Sequence, residues 1–275
     1  MTSTSPRQHA LIDYRPLDQA EAVRAIFYPQ RQWTPAPSGT SDHRITVAEG
    51  IGVSGRFYPF YRQSPNILLF HGNGEVACHY DDLAMHYHEA GANLFVADYR
   101  GYGLSGGAPS FASMMADAHA VYRYFADLLR AEAFTSARFI KGRSLGSQSA
   151  LVVAASFQDQ LAGLIIESGF AGAERLFERL HSEPPIAARE TMRLHREKLK
   201  TIGLPLLVIH GEEDDIVPVE HAADLYDAVG SADKDLLLVP HAGHNDLLYV
   251  DPHKYFMAMR AFVTRHRRDN MGTVS

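Results

Sequence analysis

The stretch that most constrains this chain is Phe139-Ile140-Lys141-Gly142-Arg143-Ser144-Leu145-Gly146-Ser147, followed at once by Gln148-Ser149-Ala150-Leu151-Val152-Val153-Ala154-Ala155. A short apolar, β-prone run enters Gly-x-Ser-x-Gly, and a helix-compatible run leaves it. That order calls for a strand, a sharp turn with Ser144 at its apex, and a helix packed close against the strand. Side chains at positions 142 and 146 would collide in so tight a turn, which gives both glycines a purpose. A hydroxyl raised at such an apex suits nucleophilic chemistry. The same geometry also serves an ordinary strand–helix turn, so the function rests on what else the chain supplies.

After Pro65 the pattern becomes regular. Asn66-Ile67-Leu68-Leu69-Phe70 is a continuous apolar run, as expected for a strand covered on both faces. Similar runs predict strands near 66–71, 93–98, 137–142, 162–167, 204–210 and 235–240. Helical patterns lie between them, near 79–90, 111–131, 145–157, 219–229 and 252–268. Strand and helix in alternation mean a mostly parallel sheet with helices on both faces. Upstream, Ile45-Thr46-Val47 and Ile51 to Tyr58 flank Glu49-Gly50 and predict an antiparallel hairpin, bringing the sheet to eight strands. Residues 1–16 read as a loose lead-in, and Leu17 to Tyr28 as a helix stopped by Pro29. No repeat or linker interrupts the 275 residues, so one α/β domain over 1–275 is expected. One segment breaks the alternation. Glu174 to His181 and Ala187 to Lys200 read as helices around Glu183-Pro184-Pro185, with no strand from about 171 to 203. The segment leaves the carboxyl end of a strand, where open α/β sheets bind ligands, so it reads as a small helical lid or as a surface excursion.

Composition excludes several classes of function. There is no run of about 18 apolar residues, so no membrane span is expected. The formal charge is −6 and the charges are interspersed, leaving no basic patch for nucleic acid. The Arg265-His266-Arg267-Arg268 cluster reads as a solvated helix end. Met1 to Pro6 lack the basic and apolar regions of a secretory signal, and Thr2 excludes N-myristoylation. Cys78 is the single cysteine, so neither an intrachain disulfide nor a Cys-rich zinc site is expected, in keeping with a cytoplasmic protein. His79, His86 and His88 with Asp81 and Asp82 read as a solvated helix face rather than a metal site. His86 and His88 stand about 200° apart on a helix.

A serine at neutral pH needs a base, and the base needs an acid to orient it. Strand 204–210 runs into His210-Gly211-Glu212-Glu213-Asp214-Asp215, and strand 235–240 into His241-Ala242-Gly243-His244-Asn245-Asp246. Both loops leave carboxyl ends of the same sheet and can converge on Ser144. Asp214 and Asp215 are the candidate acids, and His244 and His241 the candidate bases. A second Gly-x-Ser-x-Gly at 103–107 centres on Ser105. Several loop residues separate it from its strand, and no helix follows at once, so Ser105 does not fit the turn. Asp98-Tyr99-Arg100 reads as loop support, with a substrate contact by Arg100 as the rival.

These blocks together resemble the α/β-hydrolase-fold serine hydrolases over roughly residues 45–268. The matching pieces are His71-Gly72-Asn73-Gly74, Asp98-Tyr99-Arg100-Gly101-Tyr102-Gly103, Gly142 to Gly146, His210-Gly211-x-x-Asp214 with Ile216-Val217-Pro218, and Gly243-His244-Asn245-Asp246. The resemblance implies Asp214 as the acid, three residues after the glycine of His-Gly, and His244 as the base. It also implies an oxyanion hole from the backbone N–H groups of Leu145 and Asn73. Its small-lid esterase, lipase-like and depalmitoylating members imply cleavage of a carboxylic ester or thioester through an acyl-enzyme, with a small acyl substrate and neither metal nor organic cofactor. Amide or peptide cleavage, or ligand binding without catalysis, are the alternatives on the same scaffold.

Overall fold

The computed structural model describes residues 12–19, 23–24, 26–174, 177 and 182–267. Eight strands form one sheet: β1 (Ser41–Ala48), β2 (Ile51–Tyr58), β3 (Asn66–Phe70), β4 (Asn93–Ala97), β5 (Arg138–Arg143), β6 (Gly163–Glu167), β7 (Leu206–Gly211) and β8 (Lys234–Val239), in the order β1-β2-β4-β3-β5-β6-β7-β8. β1 pairs with β2, and β2 with β4, antiparallel. The remaining neighbours are parallel. This is the α/β-hydrolase fold, with the N-terminal hairpin where it was expected. The hairpin strand begins four residues earlier than its apolar core, because Ser41 to Arg44 pair along the ladder while largely exposed.

The helices are α1 (Ala84–Glu89), α2 (Phe111–Ala131), α3 (Gly146–Phe157), α4 (Ile186–Leu199), α5 (Glu220–Ala228), α6 (Leu247–Val250) and α7 (Pro252–His266). Alternate residues of each central strand serve opposite faces, as the two-residue period requires. Leu68 and Phe70 of β3 join the core beneath α2 and α3, with Met114, Phe125 and Leu151. Ile67 and Leu69 join the core beneath α1 and α7, with Tyr87, Tyr255 and Phe262. Both faces are therefore buried, which is why the strand sequences run apolar without alternation.

The predicted helix over 79–90 is instead a 3₁₀ turn, Ala77–Tyr80, followed by the short α1. Asp81 lies between them and is no solvated helix residue. Its carboxylate accepts bonds from Arg56, whose side chain is fully buried, at 2.9 Å, from the Tyr58 hydroxyl at 2.8 Å and from Thr34 Oγ1 at 2.9 Å. That set of partners stabilises the break in the helix. The lead-in is also more structured than its sequence suggests: Arg15–Leu17 form a 3₁₀ turn, and Asp18 accepts the Phe111 N–H at 2.6 Å at the start of α2. Of the helices expected over 17–28 and 174–181, residues 20–22, 25, 175–176 and 178–181 lie outside the described residues.

The turn between β5 and α3 has almost no spare room. A Cβ at residue 146 would stand 2.1 Å from the Phe70 carbonyl oxygen of β3, and one at residue 142 would stand 2.6 Å from the Gly146 oxygen. Neither obstacle is a movable side-chain end, so the backbone itself would have to shift. Gly146→Ala should therefore cost about 3 kcal/mol or more of folding stability, or prevent folding. Urea unfolding of the variant checks this; stability within the error of wild type would show that the turn is looser than described.

Candidate active site

Ser144 follows the last residue of β5 and has φ 50°, a left-handed conformation rare for a residue with a side chain. Its N–H donates to the Glu167 oxygen of β6 at 2.8 Å, and its carbonyl accepts the Ser147 N–H at 3.0 Å. The strand is thus stopped and the helix started around one residue, and the hydroxyl projects from the apex. Strain of about 1–3 kcal/mol is usual for such a residue, and the two flanking hydrogen bonds hold it in place.

The loops after β7 and β8 bring two further side chains to this hydroxyl. His244 Nε2 lies 2.9 Å from Ser144 Oγ, and His244 Nδ1 lies 2.7 Å from Asp214 Oδ2. An ionised carboxylate only accepts, so Nδ1 carries the proton and Nε2 is left to accept from the serine hydroxyl. Asp214 Oδ1 accepts the N–H groups of Ile216 at 3.0 Å and Val217 at 2.6 Å. His210 Nε2 donates to the Val217 carbonyl at 2.7 Å and stands 3.3 Å from Asp214 Oδ2. Burial alone would raise the Asp214 pKa. The bonds from His210, His244 and the Val217 N–H outweigh it and hold the carboxyl well below its usual 3.8.

The competing candidates are elsewhere. Asp215 is exposed, and His241 is exposed and faces Glu213 at 3.1 Å. Ser105 is buried and fixed, accepting the Ser54 N–H at 2.9 Å with its Oγ 3.0 Å from Ser54 Oγ. Asp98 supports loops as expected, accepting from Ser54 Oγ at 2.6 Å and the Ala77 N–H at 2.8 Å, with His71 Nε2 3.1 Å away. Arg100 is committed to Asp117 of α2 through two bonds of 2.7 Å.

A cavity of about 220 Å³ opens beside Ser144 and His244, and both Leu145 and Asn73 line it. Its apolar wall is Ile26, Phe111, Phe170, Ala173, Ile216 and Val217. The Leu145 backbone stands at the N-terminal end of α3. The Asn73 side chain is turned away to other duties: Oδ1 accepts from the Tyr102 hydroxyl at 2.7 Å and the Tyr28 N–H at 3.0 Å, and Nδ2 donates to the Ile26 carbonyl. Of the expected lid, Ala173 reaches the cavity. α4 packs with the N-terminal turn, where Thr191 Oγ1 donates to the Asp13 carbonyl at 3.1 Å and His195 Nδ1 lies 2.9 Å from the Tyr14 hydroxyl. No group of three or more His, Cys, Asp or Glu among the described residues is arranged to hold a metal ion.

Sequence reasoning left Arg143 without a role. Its guanidinium donates to the His244 carbonyl at 3.0 Å, Asn245 Oδ1 at 2.9 Å, Glu167 Oε1 at 3.1 Å and Glu75 Oε1. Glu167 also accepts from Lys141 Nζ at 2.5 Å and the Tyr255 hydroxyl at 2.6 Å. Burial would raise the Glu167 pKa, but Lys141 and Arg143 bring it down to about 2. A signal for this cluster did exist. Lys141 interrupts an apolar strand, Glu167 ends another, and buried charges require partners.

The family model described as serine aminopeptidase, S33, matches residues 62–188 and 186–248. An uncharacterized protein of Mycobacterium tuberculosis is 29% identical over 252 residues, covering 88% of this chain and 86% of that protein. An uncharacterized membrane protein of Saccharomyces cerevisiae is 33% identical over 175 residues, 60% of this chain and 59% of that one. The solved structure of the Pyrococcus furiosus esterase Pf2001 superposes with a TM-score of 0.70 at 18% identity, over 86% of this chain and 98% of the esterase. That likeness is one of fold. No helix among the described residues is long and apolar enough to cross a membrane.

The Asp214 environment has a consequence for stability. A carboxyl whose pKa is lowered on folding adds stability that is complete above its unfolded value and lost as pH falls toward its folded one. The stability gap between wild type and Asp214→Asn should therefore be largest above about pH 5 and shrink steadily below about pH 4. Urea unfolding of both proteins across that range measures it. A gap that is constant or widens toward acid would contradict the bonding described around Asp214.

Proposed function

The chain belongs to the serine aminopeptidase S33 family of α/β hydrolases, and on that premise we propose that it cleaves a carboxylic ester or thioester through an acyl-enzyme on Ser144. The observation that carries this reading is the run of contacts from Asp214 through His244 to Ser144 beside an apolar cavity. In this reading His244 removes the Ser144 proton as Oγ attacks the substrate carbonyl. The N–H groups of Leu145 and Asn73 stabilise the oxyanion that forms. Asp214 keeps His244 in the tautomer that accepts at Nε2 and favours its cationic form in the transition state. His244 then gives its proton to the leaving oxygen or sulfur. A water molecule, deprotonated by the same imidazole, releases the acid and restores Ser144.

The wall of Ile26, Phe111, Phe170, Ala173, Ile216 and Val217 favours an acyl chain as the group retained on the enzyme. Peptide cleavage at a free amino terminus, which the family name suggests, is the second reading. It would need a carboxylate to receive the substrate ammonium. Among the described residues lining the cavity there is none, and the one ionised side chain there is the cation Arg143. That charge balance supports the acyl reading over the aminopeptidase. The single cysteine, Cys78, which is buried, supports placing the reaction in a reducing compartment, the cytoplasm.

The reading is tested by one series of acyl groups offered as ester, thioester and amide. Wild type should turn over the esters or thioesters faster than the matched amides. Ser144→Ala and His244→Ala should each lose on the order of ~10⁴–10⁶ in kcat. Near-full activity of Ser144→Ala would sink the mechanism. Preference for amides with a free amino terminus would replace the ester reading with the peptidase one.

A further inference from the structure

We infer that Arg143 is a positioning residue for the proposed reaction: its guanidinium, braced by Glu75 and Glu167, holds the His244 main chain in register with Ser144. The inference rests on the acyl-transfer reading. It begins from the local structure of His244, which lies between β8 and α6 in a stretch with no helix or strand. Asp214 fixes the imidazole, and the loop main chain is held just before His244, where the Ala242 carbonyl accepts the Glu213 N–H at 2.9 Å and the Gly243 N–H donates to Asp246 Oδ1 at 2.6 Å. Arg143 meets that main chain at the carbonyl of His244 itself and at the side chain of the next residue, Asn245. Nucleophile and base are then joined twice through two adjacent residues of one turn. Ser144 meets the His244 ring, and Arg143 meets its backbone.

The guanidinium is held as firmly as it holds. Glu75 accepts one of its N–H groups, and the other Glu75 oxygen accepts the Gly72 N–H at 2.9 Å and the Tyr80 hydroxyl at 2.8 Å. Glu75 belongs to the loop that carries Asn73. Glu167 receives a second guanidinium bond and is itself held by Lys141 and Tyr255. Arg143 therefore ties together the loops after β3, β5 and β8 at the end of β6. A planar fork of five donors reaches such diverging acceptors; a lysine ammonium at the end of a flexible stem does not. A second cavity of about 320 Å³ also borders Arg143 and His244. It gives a small cation a way to the guanidinium's place if the side chain is removed.

The test uses Arg143→Ala and Arg143→Lys with the best ester substrate, together with thermal unfolding and Ser144→Ala as a control. Misplacing the base should lower kcat by up to about 10²-fold in Arg143→Ala, with KM changed far less. Arg143→Lys keeps a cation between Glu75 and Glu167, and decides the matter alone if the alanine variant does not fold. It should unfold near the wild-type temperature while its kcat stays closer to that of Arg143→Ala than to wild type. Guanidinium ion at millimolar concentration should recover part of the Arg143→Ala kcat, and ammonium at equal concentration should not. Wild-type kcat in Arg143→Lys, or equal recovery by the two cations, would overturn the positioning role and leave a charge with purely structural work. An active Ser144→Ala would instead defeat the acyl-transfer reading, so the two failures are distinct.

Discussion

Ser144 is held at φ 50° by β5, α3 and the neighbouring strands, and this one strained residue sets the geometry of everything around it. The turn closes because the Gly146 backbone presses against Phe70 and His71 of the β3 end, with no volume left for a side chain. β3, β5 and β6 are hydrogen-bonded in parallel register, so their carboxyl ends lie side by side. Strain is concentrated along that edge. Among the described residues, four non-glycine positions have positive φ, and three of them, Ser144, Ser168 and His241, lie just beyond strands β5, β6 and β8. Backbone strain persists only where surrounding packing over-determines it, and here the packing is the central sheet.

Two different environments meet at that edge. Beside Ser144 lies the cavity, whose apolar wall selects by shape and hydrophobicity while Asn73, Arg143, His244 and Asn245 supply its polar edge. Next to it lies a cluster of charges in which Lys141 and Glu167 are buried and Glu75 and Arg143 are partly so. Such a cluster is weak support for stability, because removing charges from water offsets most of what their attraction returns. Its value lies in geometry. Each carboxylate oxygen and each guanidinium N–H has a direction, and together they fix where the loops after β3 and β8 sit relative to the serine turn. An apolar contact in the same place would bind as well but would orient less.

Much of this was legible in the sequence because the central strands are covered on both faces. Ile67 to Phe70, Leu164 to Ile166 and Leu206 to Ile209 announce themselves as unbroken apolar runs, and the helices between them by their longer period. Ser144, Asp214 and His244 came from different loops and meet within hydrogen-bond distance because those loops leave the carboxyl ends of β5, β7 and β8 in one sheet. What was not legible depends on partners distant in sequence. Nothing near Arg143 points to Glu75, 68 residues away, or to the His244 carbonyl, 101 residues away. Asp81 looked like a helix-surface residue because its partners Arg56 and Tyr58 lie on β2, more than twenty residues earlier. Helix α1 came out short for that reason. Periodicity reports which face of an element is buried, but not which polar group waits there.

The account's central claim is that Ser144 is the activated nucleophile, and a fluorophosphonate probe on the folded protein tests it most directly. Intact mass should rise by one phosphonyl group, peptide mapping should find it on Ser144, and His244→Ala should label far more slowly at the same pH. Folded protein that never labels, or that carries the adduct on Ser105, would contradict it.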